Sequence, residues 1–212
     1  MVLSLNKQKE KEWKIIIKEQ AKLNGWKFNG WFAYKAIENF FYEITFYTSA
    51  YNNSINGSVG FKPLIIDERF WEIVDLNDNK RMPLSFRANG AFVISSKNVY
   101  DYNITVIPET LKADVNILLN KINQKVAELS SEITDIEKFI NYIEQHPSKK
   151  SKWSDIDLLI MSFIVQKKYN KALSLVNVAK KNRGMCSWDF DDKDFYDLAI
   201  EYCQEKRSVA NP

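Results

Sequence analysis

Asn39-Phe40-Phe41-Tyr42-Glu43-Ile44-Thr45-Phe46-Tyr47-Thr48 alternates a wholly apolar set of side chains with a mixed one, and that alternation decides the fold class. Successive side chains of an extended strand point to opposite faces. Phe40, Tyr42, Ile44 and Phe46 therefore share one face, assigned to the core. Phe41, Glu43, Thr45 and Tyr47 share the other, which carries rigid aromatics beside polar groups. This second face is read either as open to a partner or as covered by the protein's own helices, through the apolar seam of Leu119, Ile122, Val126 and Leu129.

Upstream, Asn29-Gly30 between Trp26-Lys27-Phe28 and Trp31-Phe32-Ala33-Tyr34 predicts a short hairpin. Before it, Trp13, Ile16, Ile17, Gln20 and Ala21 recur at helical spacing, so a helix is expected over 6–23, stopped by Asn24-Gly25. Downstream, 49–57 reads as a polar turn and 59–66 as a returning strand, with Pro63 at an edge or bulge. A short helix is expected over 67–74 with Asp67 as its cap. Leu84, Phe86 and Ala88, then Phe92 and Ile94, flank Asn89-Gly90 and suggest another hairpin, followed by a weaker strand over 100–107.

From Pro108 the period becomes helical. Leu119, Ile122, Val126, Leu129, Ile133, Ile136, Ile140 and Ile143 form a heptad-like seam. The capping box Thr134-x-x-Glu137 favours two helices, 109–129 and 134–145, over one. After the basic linker 148–152, a helical hairpin (155–166 and 170–181) and a last helix (192–206) are expected. The fold class is α+β: an antiparallel aromatic-rich sheet flanked by helices, followed by a C-terminal helical subdomain. Domains are expected at 1–147 and 148–212.

With 212 residues and a net charge of +3, the chain has a balanced composition, which argues weakly against obligate nucleic-acid binding. No stretch approaches the roughly 20 apolar residues of a membrane span. The N-terminus lacks the apolar run of a signal peptide, so a cytoplasmic location is expected. Cys186 and Cys203 lack metal-type spacing. They are read as free thiols in a reducing compartment, with a disulfide as the alternative.

Asp189, Asp191, Asp192 and Asp194 fail a calcium-loop test, because Asp194 and Ile200 stand where Gly and Glu are needed. They are read as capping the last helix. His146, the only histidine, sits at a helix end beside Pro147. No Gly-x-Ser-x-Gly, paired-histidine or Gly-rich phosphate motif appears, so no catalytic residue, metal or cofactor is assigned. Glu38, Glu43, Asp67, Glu68 and Glu72 leave carboxylate chemistry open. Arg87 suits a carboxylate or phosphate, with a structural ion pair as the favoured reading. Lys149, Lys150 and Lys152, then Lys167, Lys168 and Lys171, then Lys180, Lys181 and Arg183 would hold nucleic acid if they met on one face.

Gly25-Trp26-Lys27, Phe32-x-Tyr34-Lys35 and Phe46-x-x-Ser49-x-Tyr51, behind an N-terminal helix, resemble a family of uncharacterised bacterial domains over residues 10–66. The resemblance implies a sheet with flanking helices and assigns no catalytic residue. Tyr169-x-x-Ala172-Leu173 resembles one tetratricopeptide-type helical hairpin, without a second copy.

These features favour a non-enzymatic, protein-binding module of a bacterial cell, by association an immunity or phage-defence component, with Phe41, Glu43, Tyr47 and Arg87 facing the partner. One alternative is a hydrolytic enzyme using carboxylates in a sheet cleft on nucleic acid or phosphate esters. The other is a nucleic-acid accessory protein. Because no ligand set has workable spacing, a chelator is expected to leave the thermal midpoint unchanged. A fall of several degrees, reversed by zinc or calcium, is the contrary result.

Overall fold

The computed structural model describes residues 2–89, 92–148, 152–183, 188–190 and 192–210. In chain order the elements are α1 (Val2–Leu23), β1 (Lys27–Asn29), β2 (Phe32–Ile37), β3 (Phe40–Ser49), β4 (Ser54–Pro63) and α2 (Leu64–Ile73). A 3-10 turn (Asn77–Arg81), α3 (Phe86–Asn89), β5 (Lys97–Thr105), α4 (Leu111–Glu132) and α5 (Ile136–Gln145) follow. The chain continues through α6 (Lys152–Val165), α7 (Tyr169–Arg183), β6 (Asp189–Phe190), β7 (Lys193–Asp194) and α8 (Phe195–Ala210). The fold is α+β, with an antiparallel five-stranded sheet in the order β1-β2-β3-β4-β5 and a helical C-terminal region. No helix among the described residues is long and apolar enough to cross a membrane.

Two compact units interleave in sequence: Met1–Phe61 with Asn98–Glu132, and Lys62–Lys97 with Ile133–Pro212. This differs from the single boundary expected at 147, since α2, α3 and α5 belong with the C-terminal helices.

In the first unit, Phe40, Tyr42, Ile44 and Phe46 are all buried, as the alternation requires. Lys35 pairs with Tyr42 in the register and so lies on that face. Its ammonium donates to Asn123 Oδ1 at 2.9 Å, which places α4 over this face. The seam Leu119, Ile122, Val126 and Leu129 is buried. The helix that carries it packs on α1. Trp26 donates its indole N–H to the same Asn123 oxygen at 2.9 Å, tying the end of α1 to α4. Burial, with Glu38 adding to it, pushes the Tyr42 hydroxyl up to about 12.

Gly57 shows why a strand here needs a missing side chain. Read from sequence as the end of a turn, it lies within β4. A Cβ there would sit 1.8 Å from the Thr45 carbonyl oxygen and 2.6 Å from the Tyr102 hydroxyl. The bare backbone lets the Tyr102 phenol reach across and donate to Thr45 O at 2.5 Å.

The second unit packs α2 against α6 and α8, and α6 against α5 and α7. Phe70 of α2 anchors it, with ring centroids 5.2 Å from both Trp188 and Phe195. Asp135 caps α5 by accepting from the amides of Glu137 and Lys138, each at 2.9 Å. That position is one residue past the Thr134 expected from the capping box. The break between α4 and α5 confirms two helices and falls beyond Ser130. Asp194 caps α8, accepting from the Asp197 amide at 3.0 Å, as expected for one member of the acidic run. Asp191 lies outside the described residues.

Two expectations fail. The residues before Gly90 form the short helix α3 and not a strand, so the Asn-Gly hairpin is absent there. Asp67 is not the cap of α2: the helix begins earlier, at Leu64 after Pro63, and Asp67 is fully buried inside it.

Phe46 is 1 % exposed and Tyr47 62 % exposed. Phe46→Ala is expected to lower stability by about 3–5 kcal/mol in chemical denaturation, and Tyr47→Ala by less than about 0.5 kcal/mol. Equal losses would contradict this register.

Candidate functional site

Of the four residues assigned from sequence to a partner surface, Phe41 and Arg87 are buried. Phe41 is 0 % exposed and stacks on Tyr34 with centroids 6.2 Å apart. A strand pattern with one apolar and one mixed face suggests a solvated face, but here both faces are covered at Phe41. Tyr47 is exposed and Glu43 half-buried. Arg87 is 9 % exposed, and its guanidinium is already committed. It donates to Leu64 O at 2.8 Å, Asp67 Oδ2 at 3.2 Å and Glu68 Oε1 at 3.0 Å, and it lies 4.9 Å from the Trp71 ring centre.

Asp67 is the hub of that cluster. It also accepts from Lys62 Nζ at 2.9 Å and from the Ile94 amide at 3.1 Å. Two cations and one amide therefore satisfy a carboxylate sealed from water, as burial of a charge demands. The cluster ties Lys62, Arg87 and Ile94 to α2 around one buried carboxylate. His146 is likewise spent locally, stacked on Tyr142 at 4.4 Å at the end of α5. Cys203 is buried, and burial pushes its thiol up to about 11 despite the opposing charge of Arg207. Cys186 lies outside the described residues. Among the described residues no three His, Cys, Asp or Glu side chains gather to hold a metal.

Charge converges elsewhere. A cleft of about 840 Å³ in the second unit is lined by Arg69, Lys167, Lys168, Lys171, Lys206 and Arg207, with Glu72 the one acid among its described lining residues. Its floor comes from the turn between α6 and α7. Lys168 N–H donates to Phe163 O at 2.8 Å, and Lys167 N–H to Ile164 O at 2.9 Å. This is the paired bonding of a Schellman turn, which puts the residue between helix end and exit in the left-handed region. The same turn closes α1, where Trp26 N–H donates to Ala21 O and Gly25 N–H to Lys22 O, with Gly25 at φ +80°. At the corresponding place after α6 the chain has Lys167, at φ +59°. An L-residue there is strained by about 1–2 kcal/mol. The tight turn sets Lys167 and Lys168 together, and Lys171 follows on the first turn of α7.

The far wall is Arg69 of α2 and Tyr202 of α8. Arg69 Nη1 donates to Glu72 Oε1 at 2.9 Å, to Glu72 Oε2 at 3.0 Å and to the Tyr202 hydroxyl at 2.7 Å. Tyr202 donates in turn to Glu72 Oε1 at 3.3 Å. Burial raises the Tyr202 pKa, against the pull of Arg69, so the phenol stays protonated and able to donate. Lys206 sits 5.2 Å over the Tyr202 ring centre, and the hydrogen bond that it donates to Glu205 holds its ammonium above the ordinary lysine value. Lys167, Lys168, Lys171 and Arg207 are exposed and form no salt bridge among the described residues.

Of the basic clusters singled out in the sequence, only Lys167, Lys168 and Lys171 meet in this cleft. Lys180 pairs with Asp197. Arg183 pairs with Asp157 at 3.3 Å and lies 5.9 Å from the Trp153 ring centre. Lys152 opens α6 and Lys181 lies near the end of α7, neither lining the cleft. Lys149 and Lys150 lie outside the described residues. Sequence reading missed Arg69, Lys206 and Arg207, which no local motif marks.

Removing the hub of the buried cluster separates a structural role from a binding one. Asp67→Ala strands Lys62 and Arg87 and is expected to cost about 3–5 kcal/mol of stability. Glu72→Gln, at the half-exposed cleft wall, is expected to change stability by less than about 1 kcal/mol in the same denaturation experiment. A small effect of Asp67→Ala would release Arg87 for a binding role.

No protein-family model, curated protein or solved structure matches this chain.

Proposed function

We propose that this chain is a non-enzymatic binding protein for a phosphate-bearing polyanion held in the cationic cleft, the nucleic-acid accessory role among the alternatives read from sequence. The observation that carries the reading is the gathering of six cations around one acid in a single concavity. Low-dielectric walls around like charges focus the field on an incoming anion. The amides of Tyr169 and Asn170 add to it. As first-turn groups of α7 they have no intrahelical acceptor, and a helix N-terminus favours phosphate.

The hydrolase alternative has less support. General acid–base hydrolysis needs a second group beside the first carboxylate. Glu72 stands without another acid in the cleft and is held by Arg69 and Tyr202. The buried acids Asp67, Asp155 and Asp157 each hold a cation. The protein-partner alternative retains only Tyr47 and Glu43 of its four residues as accessible groups.

Binding of labelled oligo(dT), followed by fluorescence anisotropy across a salt series, tests the reading. Each of Lys167→Gln, Lys168→Gln and Lys171→Gln is expected to reduce the slope of log affinity against log salt by about 0.7, the value for one phosphate contact on a single strand. Lys167→Gly is expected to move two observables in opposite directions. It relieves the left-handed strain, raising stability by up to about 1 kcal/mol, and it removes a cation, weakening binding. Salt-sensitive binding that ignores all these substitutions would place the ligand elsewhere on the chain.

A further inference from the structure

We propose that the cleft takes single-stranded nucleic acid in preference to duplex, with one base stacked on the ring of Tyr169 and the adjoining phosphates held by Lys167, Lys168 and Lys171. The inference rests on the polyanion reading above and adds what lies between the phosphates. Lys167-Lys168-Tyr169-Asn170-Lys171 interleaves an aromatic ring with cations, and all five line the cleft. Interleaving of this kind is how non-specific single-strand binders work: cations follow the backbone and flat rings receive bases.

The two tyrosines of the cleft differ in what they have left to offer. Tyr202 is committed, its hydroxyl between Arg69 and Glu72 and its ring under Lys206. Tyr169 is half-buried, and among the described residues its ring meets no other aromatic and its hydroxyl no hydrogen-bond partner. Its position is nonetheless fixed, because it is the first residue of α7, directly after the Schellman turn. A ring that lines the cleft on a fixed backbone, and that no other aromatic or hydrogen bond engages among the described residues, is suited to receive a base.

Ligand shape follows from the same geometry. In a duplex both faces of every internal base are already stacked, so Tyr169 could meet only sugar and phosphate. In a single strand the bases splay out and present their faces. A concavity of about 840 Å³ lies in the range of sites for compact ligands, enough for a nucleotide or two entering from a passing strand. The cations alone would accept duplex, single strand or a small polyphosphate, and only the ring distinguishes them.

The test compares labelled oligo(dT), the oligo(dT)·oligo(dA) duplex of equal length and inorganic tripolyphosphate as competitor, at one salt concentration. Single strand is expected to bind at least about tenfold tighter than duplex. Tyr169→Ala is expected to lose about 5- to 100-fold of single-strand affinity with the salt slope unchanged, and Tyr169→Phe to keep it. Tyr169→Leu, which retains apolar bulk for packing but has no flat ring, is expected to match Tyr169→Ala, with thermal unfolding confirming that each variant is folded. Equal binding of duplex, or full affinity in Tyr169→Leu, overturns the stacking proposal while leaving the polyanion reading intact if the lysine variants still weaken binding. Capture of tripolyphosphate with no oligonucleotide binding overturns it in favour of a small phosphorylated ligand. Failure of all three probes overturns the polyanion reading itself.

Discussion

A buried ammonium group is costly unless a carboxylate and further acceptors receive it, and two are buried among the described residues. Lys62 and Lys97 are 0 % and 1 % exposed. Lys62 donates to Asp67 and to Ile94 O at 2.5 Å. Lys97 donates to both oxygens of Asp155 at 2.9 and 2.8 Å, to Ser148 Oγ at 2.9 Å and to His146 O at 2.6 Å. The two lysines are the first and last residues of the first segment of the second unit. Within that unit, Lys62 ties the residues just before α2 to Asp67 inside it, and Lys97 ties the start of α6 to the end of α5. Apolar side chains of similar size could be as stable in such places, but a misplaced ammonium is far more costly than a misplaced methyl group. The pairs accordingly select one arrangement of α2, α5 and α6, and the cleft depends on α2 lying where Arg69 can reach α8.

Much of the fold was legible because it follows from short-range periodicity. Alternation placed Phe40, Tyr42, Ile44 and Phe46 together, helical spacing found the buried stripe of α1, and Gly25 marked its end. The errors share a cause. Period two tells which residues share a face but not whether a face is covered, so the alternation leaves the Phe41 face either open or covered, and the structure buries Phe41 completely. Asn-Gly at 89–90 is a turn signal without a length, and it followed a helical turn as readily as a strand. Asp67 was read as a cap because acids near helix starts usually are. Its burial came from Lys62 and Arg87, one of them 20 residues away in sequence.

The cleft was half legible for the same reason. Lys167, Lys168 and Lys171 are sequence neighbours, and their clustering could be seen directly. Arg69, Lys206 and Arg207 join them only through the packing of α2 and α8 in the second unit. A further signal at the site is a lysine where a helix hairpin favours glycine. Gly25 closes the equivalent turn after α1 at φ +80° without strain, whereas Lys167 adopts φ +59° at a cost. Strain retained at a position that a glycine would relax is better explained by what the side chain does there than by what it contributes to stability.

Net charge conceals how this surface is organised. A balance of +3 over 212 residues suggests little affinity for anions. The average misleads because the acids of the second unit are not spread evenly. Asp67 serves Lys62 and Arg87, Asp155 serves Lys97, Asp157 serves Arg183 and Asp197 serves Lys180. Those carboxylates neutralise cations inside the fold or beside α7's far end. Among the described lining residues of the cleft Glu72 is the one acid, and Arg69 and Tyr202 already occupy its oxygens. The positive charge left over is concentrated on the α6–α7 turn and the end of α8, around one concavity. Like charges gathered in one concavity act on an anion as a group, and the proposed polyanion binding rests on that local surplus.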